Sequence, residues 1–304
     1  MRVFVAGGSG TIGLPLVRAL VEAGHQVTAL TRSANKQLTL RGAGATPAVA
    51  DALDPDALRI AVQAARPTHV IHQLTALPKD GSVRRAKDLA PTNRLRVEGT
   101  RNLLDAAIVA GATRIVAGSF APLQAVEADE APQGLRDAVA AVESMESQVL
   151  EASRAGRIEG IVLRYGLFYG PGNPATEKML ALVRRRLLPV IRGDRSLLPC
   201  IHVADAVSAT LAALERGAPG SIYDIVDDQP VSMTEIVHVM AEFTGAPRPF
   251  TVPAWLPRLL APYMARVTSM RLRLSNQKAR SELGWRPAFP TWRDGLAQML
   301  ARAA

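Results

Sequence analysis

The sequence has few cysteines and few aromatic side chains. Cys200 is the only cysteine among 304 residues, so neither an intrachain disulfide nor a zinc site with several cysteines can form. Aromatic residues make up 4% of the chain and do not alternate with its basic runs, so we expect no nucleic-acid partner. The net charge of +9 is then interpreted as solvated helix faces.

Long hydrophobic runs are also absent. No apolar run approaches the roughly 18 to 20 residues of a membrane span, so we expect no membrane partner. Arg2 is followed by only four apolar residues before the first glycine, which is too few for a signal peptide. Together with the single cysteine, this predicts a cytoplasmic protein. His, Cys, Asp and Glu show no metal-ligand spacing, so no metal site is expected. The sequence also has no Gly-x-Ser-x-Gly motif of a serine nucleophile.

A glycine-rich turn near the N-terminus is the most informative stretch of the chain. Residues 2–6 predict a short buried strand, residues 14–23 an amphipathic helix and residues 26–30 a second strand. Gly7, Gly10 and Gly13 lie in the turn between the first strand and the helix. Glycines let the backbone approach a pyrophosphate, and the helix N-terminus beyond them attracts an anion. This strand–turn–helix–strand context predicts a dinucleotide-binding site.

The end of the second predicted strand indicates which dinucleotide binds. An acidic residue at this point usually bonds the ribose hydroxyls of NAD. Here the residues are Thr31, Arg32 and Ser33, with no carboxylate. Arginine can pair with the extra 2′-phosphate of NADP, so we predict NADP as the cofactor, with NAD as the alternative.

Strand and helix patterns continue to alternate as far as residue 164. Further strands are predicted at 45–50, 68–74, 114–118 and 160–164, with helices at 55–64, 92–110 and 135–155. This alternation predicts an α/β fold, a Rossmann-type doubly wound parallel sheet formed by residues 1–165. Residues 166–304 are rich in proline and glycine and lose the rhythm, so we expect a smaller, not fully separate substrate-binding lobe.

Several separated motifs together resemble the extended short-chain dehydrogenase/reductase family, in particular its sugar-nucleotide epimerase/dehydratase group. They span nearly the whole chain: the glycine-rich turn, Gly99-Thr100 within the long helix, Leu163-Arg164-Tyr165, Tyr169-Gly170-Pro171-Gly172, Ile201-His202-Val203-Ala204-Asp205 and Leu283-Gly284-Trp285-Arg286-Pro287. The opening glycines and the closing Leu-Gly-Trp-x-Pro are the most specific of these.

The resemblance implies a role for each matching position. The residues that would contact the cofactor are Gly7, Gly10, Thr11, Ile12 and Gly13 at the pyrophosphate, Arg32 and Ser33 at the adenosine phosphate, Asp51 and Ala52 at the adenine, Leu74, Thr75 and Ala76 at the ribose, and Ser119 and Tyr165 at the nicotinamide. Ser119 would also hydrogen-bond the substrate oxygen. By the same resemblance, the helices at 92–110 and 135–155 would form the interface of a homodimer.

The catalytic pair of the family is missing from this sequence. The family carries a tyrosine and, four residues on, a lysine on the helix after the fifth strand, which together move a proton to or from the substrate. Aligning Glu146 with the family's acidic residue places Ala138 and Val142 at those two positions. There is no tyrosine before Tyr165 and no lysine between Lys87 and Lys178, so no other register restores the pair.

These observations favour an atypical NADP-dependent oxidoreductase acting on a carbonyl, alcohol or activated alkene of a small molecule. Ser119 would polarise the substrate, with Tyr165 or water as the proton donor. Glu143 and Glu146 are weighed as acids, although a solvated helix face is the simpler interpretation. Two alternatives stay open: a sugar-nucleotide epimerase or dehydratase, and a non-catalytic NADP-binding sensor.

Overall fold

The computed structural model describes residues 1–78, 83, 85–122, 133–260, 265 and 269–301. Its strands are β1 (Arg2–Ala6), β2 (Gln26–Thr31), β3 (Thr46–Val49), β4 (His69–His72), β5 (Arg114–Phe120), β6 (Glu159–Tyr165), β7 (Leu167–Tyr169), β8 (Val190–Ile191), β9 (Cys200–His202), β10 (Ile222–Ile225) and β11 (Thr251–Val252). Its helices are α1 (Gly13–Glu22), α2 (Gln37–Gly42), α3 (Pro55–Ala65), α4 (Ala90–Arg94), α5 (Thr100–Val109), α6 (Gln133–Arg154), α7 (Pro174–Arg184), α8 (Val203–Arg216), α9 (Met233–Phe243), α10 (Trp255–Leu260), α11 (Gln277–Leu283) and α12 (Trp292–Ala301). No helix in these ranges is long and apolar enough to span a bilayer.

Seven parallel strands form the central sheet, in the order β3-β2-β1-β4-β5-β6-β10. Side chains of a strand alternate between the two faces of its sheet. Val3 and Val5 therefore enter the core beneath α1 and α8, while Phe4 and Ala6 enter the core beneath α3 and α5. Both faces are covered by helices, which confirms the predicted doubly wound parallel fold.

The C-terminal part of the chain contributes to two cores. Residues of α7, α9 and α12 surround a separate apolar cluster that includes Leu180, Met240 and Leu296. Yet β10 lies in the central sheet, where Ile222 pairs with Val162 of β6. The chain therefore returns to the central sheet after residue 166. The division into 1–165 and 166–304 stays a prediction, in which β10 is shared.

The helix predicted at 92–110 is divided into three parts. α4 is followed by a wide π turn, Leu95–Gly99, and then by α5. The wide turn interrupts the regular ladder of backbone hydrogen bonds, as π turns at functional sites often do. Leu95 belongs to this turn and lines the cleft described below.

The small residues of α6 are used inside the protomer. Ala138, Ala141 and Val142 are buried, while Glu143 and Glu151 on the same helix are exposed. The face proposed for dimer contacts from its alanines and valines thus packs against the chain's own residues. A homodimer stays a prediction.

Candidate dinucleotide-binding site

The glycine-rich turn lies at the carboxyl end of β1, at the centre of the sheet. Gly7 has a φ of 90°, and a Cβ atom there would overlap the carbonyl oxygen of Gln73. At Gly13 a Cβ atom would overlap the carbonyl oxygen of Gly7. α1 begins without a side-chain cap and without an acidic residue in its first turn. Backbone without side chains and an uncapped helix N-terminus fit the pyrophosphate of a dinucleotide.

A cleft opens above this turn. It is lined by Gly7, Ser9, Gly10, Leu30, Thr31, Arg32, Ser33, Lys36, Ala50, Ala52, Gln73, Leu74, Thr75 and Leu95. Seven of the fourteen residues assigned to the cofactor by resemblance are therefore brought together here: Gly7, Gly10, Arg32, Ser33, Ala52, Leu74 and Thr75. Sequence reasoning missed Lys36, Gln73 and Leu95 among the lining residues.

Other predicted contact residues lie beside the cleft rather than in its lining. Thr11 is exposed, and Ile12 is buried in the core beneath α1. The carboxylate of Asp51 accepts a hydrogen bond from the backbone N–H of Leu53 at 3.0 Å, which forms a local turn. Ala76 packs on the apolar core of the opposite face. None of these four residues is among those that line the described cleft.

The rim after β2 is positively charged. Arg32, Ser33 and Lys36 are exposed, and Lys36 Nζ donates to the carbonyl oxygen of Ser9 at 3.3 Å. The hydroxyl of Thr31 accepts a hydrogen bond from the Ser33 backbone N–H at 3.2 Å, which shapes the turn. No aspartate or glutamate lines the described cleft. The signal for Lys36 was present in the sequence, one turn beyond Arg32.

Ser119 lies inside β5, and its hydroxyl bonds a side chain of α6 instead of facing the cleft where a substrate oxygen was expected. Its hydroxyl donates to Oε1 of Glu146 at 2.5 Å, and both groups are buried. The same carboxylate accepts hydrogen bonds from Nε and Nη2 of Arg164, the shortest at 2.6 Å. This ion pair raises the pKa of the Arg164 guanidinium. The Ser119 proton is thus already donated to Glu146. Glu146 is buried and paired with Arg164, so the expectation that it lies on a solvated helix face is wrong.

Tyr165 is also enclosed. Its side chain is 1% exposed, and burial raises the pKa of its phenol to about 12. The hydroxyl lies 2.7 Å from the hydroxyl of Thr210 and accepts a hydrogen bond from Nε2 of Gln73 at 3.0 Å. The Tyr165 phenol is thus buried, hydrogen-bonded on both sides and weakly acidic, whereas the proton donor expected from the sequence would have to reach the substrate.

The two positions of the missing catalytic pair lie in an apolar cluster. Ala138 is 0% exposed and Val142 4%, and both pack with Leu89 and Leu135. Phe120, directly after Ser119, packs against the same cluster. The described part of α6 contains neither a tyrosine nor a lysine, so it provides no acid–base pair of the family's kind.

Two further histidines have structural roles. His72 is buried, and Nε2 lies 2.8 Å from the hydroxyl of Thr100. Desolvation lowers the pKa of His72 to about 4, so it is a neutral histidine of the core. Nδ1 of His202 accepts a hydrogen bond from the backbone N–H of Ala204 and caps α8.

A buried carboxyl group lies where the lobe meets the sheet. Asp227 follows β10, and its Oδ2 accepts a hydrogen bond from the Tyr169 hydroxyl at 2.9 Å. Burial raises the pKa of Asp227 to about 8. Neighbouring Asp205 accepts hydrogen bonds from the backbone N–H groups of Ala288 and Phe289. No group of three potential metal ligands is found among the described residues.

Comparison with known proteins agrees with this geometry. The model of the NAD dependent epimerase/dehydratase family matches residues 3–226. A 3-diazoavenalumate denitrifying reductase from a Streptomyces species is 41% identical over 98% of this chain and 100% of its own length. A 2-alkyl-3-oxoalkanoate reductase from Stenotrophomonas maltophilia is 30% identical over 82% of this chain and 77% of its own. Among solved structures, UDP-glucose 4-epimerase from Thermotoga maritima superposes with a TM-score of 0.80 at 22% identity, covering 99% of this chain and 98% of that one. The resemblance inferred from the motifs is confirmed.

Proposed function

Because the chain belongs to the NAD-dependent epimerase/dehydratase family, we propose that it is an NADPH-dependent reductase that needs no proton donor from the protein. One observation carries this proposal. The dinucleotide cleft is built, whereas Ala138 and Val142, at the positions of the catalytic pair, are buried among apolar side chains. The protein can hold a hydride donor, but its usual proton donor is missing.

NADP is the proposed cofactor because of the charge on the cleft rim. Gly7, Gly10 and the N-terminus of α1 would hold the pyrophosphate. Arg32 and Lys36 would pair with the 2′-phosphate, and Ser33 would donate a hydrogen bond to it. Without a carboxylate among the described lining residues, nothing there favours the free ribose hydroxyls of NAD.

The missing proton donor favours one class of substrate. When bound, NADPH supplies a hydride ion, which can replace a diazonium group as the electron pair of the C–N bond leaves with N2, and this exchange consumes no proton. Reduction of a ketone would in addition place a proton on the substrate oxygen. Ser119 donates instead to Glu146, and the Tyr165 phenol is buried.

The names of the relatives agree with this choice to different degrees. The relative at 41% identity is named as a denitrifying reductase of a diazo compound. The relative at 30% identity is named as a reductase of an oxoalkanoate, a ketone. We therefore propose a diazonium compound as the substrate and retain a carbonyl compound as the second candidate.

A substrate panel with labelled cofactor tests the proposal. The protein is mixed with NADPH deuterated at C4 and, separately, with an arenediazonium salt, a ketone, an enone and a sugar nucleotide. We expect turnover of the diazonium salt above the protein-free rate, and in H2O the deuterium of the cofactor should appear at the carbon that carried nitrogen. In a separate reaction with unlabelled NADPH in D2O, the product should acquire no deuterium. Turnover of the ketone alone would overturn the substrate proposal and favour the carbonyl alternative.

Two other outcomes would overturn the reductase itself. Interconversion of the sugar nucleotide without net oxidation of NADPH would identify an epimerase. Tight NADPH binding without turnover of any panel member would identify a sensor.

Sedimentation equilibrium in the same buffer tests the proposed homodimer, which a monomeric mass at micromolar concentration would contradict.

A further inference from the structure

A chain of three polar side chains connects the cleft to the interior of the fold. Gln73, directly after β4, lines the cleft, and its Nε2 donates to the Tyr165 hydroxyl at 3.0 Å. The Tyr165 hydroxyl lies 2.7 Å from the hydroxyl of Thr210 on α8. Thr210 in turn donates to the backbone carbonyl oxygen of Ala206 at 2.6 Å.

The direction of every proton in this chain is fixed. A threonine hydroxyl has one proton, and Thr210 donates it to Ala206, so Thr210 must accept a proton from Tyr165. Tyr165 has then given its own proton, so its oxygen can only accept. Gln73 must therefore turn its NH2 group toward Tyr165. If the carboxamide flipped, Oε1 would face a Tyr165 oxygen that has no proton left to donate. Oε1 is therefore held on the side of the carboxamide away from Tyr165.

No described residue donates a hydrogen bond to Oε1 of Gln73, and this atom is not sealed from solvent. The carboxamide lies over Gly118 of β5, where a Cβ atom would overlap it, and Oε1 is the carboxamide atom nearest to that position. Oε1 is thus an acceptor with a fixed orientation at the carboxyl ends of β4 and β5.

The strand order tells which half of a dinucleotide passes this point. Arg32 and Ala52 lie beyond β2 and β3, and the glycine-rich turn follows β1. With the adenosine there and the pyrophosphate at β1, the remaining half extends over β4 toward β5, since β4 and β5 follow β1 in the sheet. Neighbouring strands are about 4.8 Å apart, so Gln73 lies one strand beyond the pyrophosphate.

We propose that Oε1 of Gln73 accepts a hydrogen bond from the nicotinamide-riboside half of the cofactor, and that Tyr165 and Thr210 are positioning residues that fix which end of the carboxamide carries the oxygen. The proposal rests on the proposed NADPH site. The shared chemistry is an N–H or O–H donor, either the carboxamide of the nicotinamide or a hydroxyl of its ribose.

Binding of NADPH, followed by the fluorescence of the reduced nicotinamide, tests the contact without turnover. Gln73→Met keeps the length of the side chain and removes the acceptor, so we expect binding about three- to tenfold weaker, as for one neutral hydrogen bond. Gln63→Met on the exposed surface of α3 is the matched control and should bind as the wild type does. Equal affinity of the two variants would overturn the contact.

A cofactor analogue separates the two donors. In the reduced 3-acetylpyridine analogue of NADPH a methyl group replaces the amide NH2, so the carboxamide donor is absent while the ribose is intact. If the carboxamide is the donor, Gln73→Met will bind this analogue as tightly as the wild type does. If the ribose is the donor, the loss will be the same as with NADPH. Either result supports the contact.

Variants at Thr210 test the positioning, because Thr210 does not line the cleft. Thr210→Val leaves Gln73 as the acceptor for the Tyr165 proton, so the carboxamide must flip and turn its NH2 group to the cofactor. We expect Thr210→Val to weaken NADPH binding as much as Gln73→Met does, and Thr210→Ser to restore it. Wild-type affinity in a folded Thr210→Val protein would overturn the positioning role.

The result for the wild type separates this inference from the proposed function. A wild-type protein that binds neither NADPH nor NADH contradicts the proposed function itself. Binding by the wild type, with no effect of the Gln73 variant, contradicts only the inference. Thermal unfolding of each variant shows whether a change in affinity reflects lost folding.

Discussion

Replacing Ser119 by alanine decides whether the protein polarises its substrate through this hydroxyl. The Ser119 hydroxyl donates to Glu146 at 2.5 Å and is buried, so its proton is directed at the carboxylate. Removing it should leave the reduction of the diazonium salt within about twofold of the wild-type kcat. An oxyanion-stabilising donor would instead contribute about 10²–10³ in kcat.

The same substitution should be visible in stability. A hydrogen bond to a charged group contributes about 1.5–3 kcal/mol. Glu146 keeps its contacts to Arg164, the longest at 3.1 Å, so we expect a loss at the lower end, about 1.5 kcal/mol. Urea unfolding measures this change, and steady-state kinetics with NADPH measures the activity. Ser147→Ala, at an exposed serine on α6, is the control and should change neither.

A hundredfold loss of kcat in a folded Ser119→Ala protein would refute this reasoning. It would mean that the hydroxyl leaves Glu146 and turns to the substrate during the reaction. Unchanged activity together with unchanged stability would equally contradict the described hydrogen bond.

Three further outcomes follow from the site and its surroundings. Arg32→Ala and Lys36→Ala should each weaken NADPH binding about tenfold, or about 1.4 kcal/mol, and leave NADH binding unchanged, as nicotinamide fluorescence would measure. Ala138→Tyr fills a position with 0% exposure, so urea unfolding should show a loss of about 1–3 kcal/mol, and assays should show no gain in ketone reduction. Between pH 3.8 and about 8 the Asp227 carboxyl is protonated in the folded protein and ionised in the unfolded chain. Wild-type stability should therefore fall with rising pH by up to about 1.4 kcal/mol per unit relative to Asp227→Asn, and equal pH profiles in denaturant titrations would contradict this.

Local patterns in the sequence were sufficient for the first elements of the fold. β1 was predicted with its bounds, and the predicted helix at 14–23 lies one residue from α1, because the hydrophobic periods change at Gly7–Gly13. The short strands β8 and β11, with two residues each, have no periodicity of their own and were missed. They exist because each pairs with the other.

Side-chain direction was harder to predict than element type. The fifth strand was expected to stop at Gly118, with Ser119 at its end, but β5 continues to Phe120. Inside the strand, alternation turns Ser119 toward α6 and Glu146, whereas Gly118 faces Gln73. The hydrogen bond of Gln73 to Tyr165 joins residues 92 positions apart, and no local pattern contains it.

The sharing of β10 between the two parts of the chain affects how the protein is made. The central sheet is complete only when Ile225 has paired with Tyr165, although β6 leaves the ribosome earlier. At about 5–20 residues per second, the intervening 60 residues take about 3–12 s to synthesise. During this interval the edge of β6 has no partner on that side, and an unpaired strand edge invites pairing with another chain. Slow translation of this stretch should therefore increase the need for a chaperone at β6, and a fragment ending at residue 165 should aggregate.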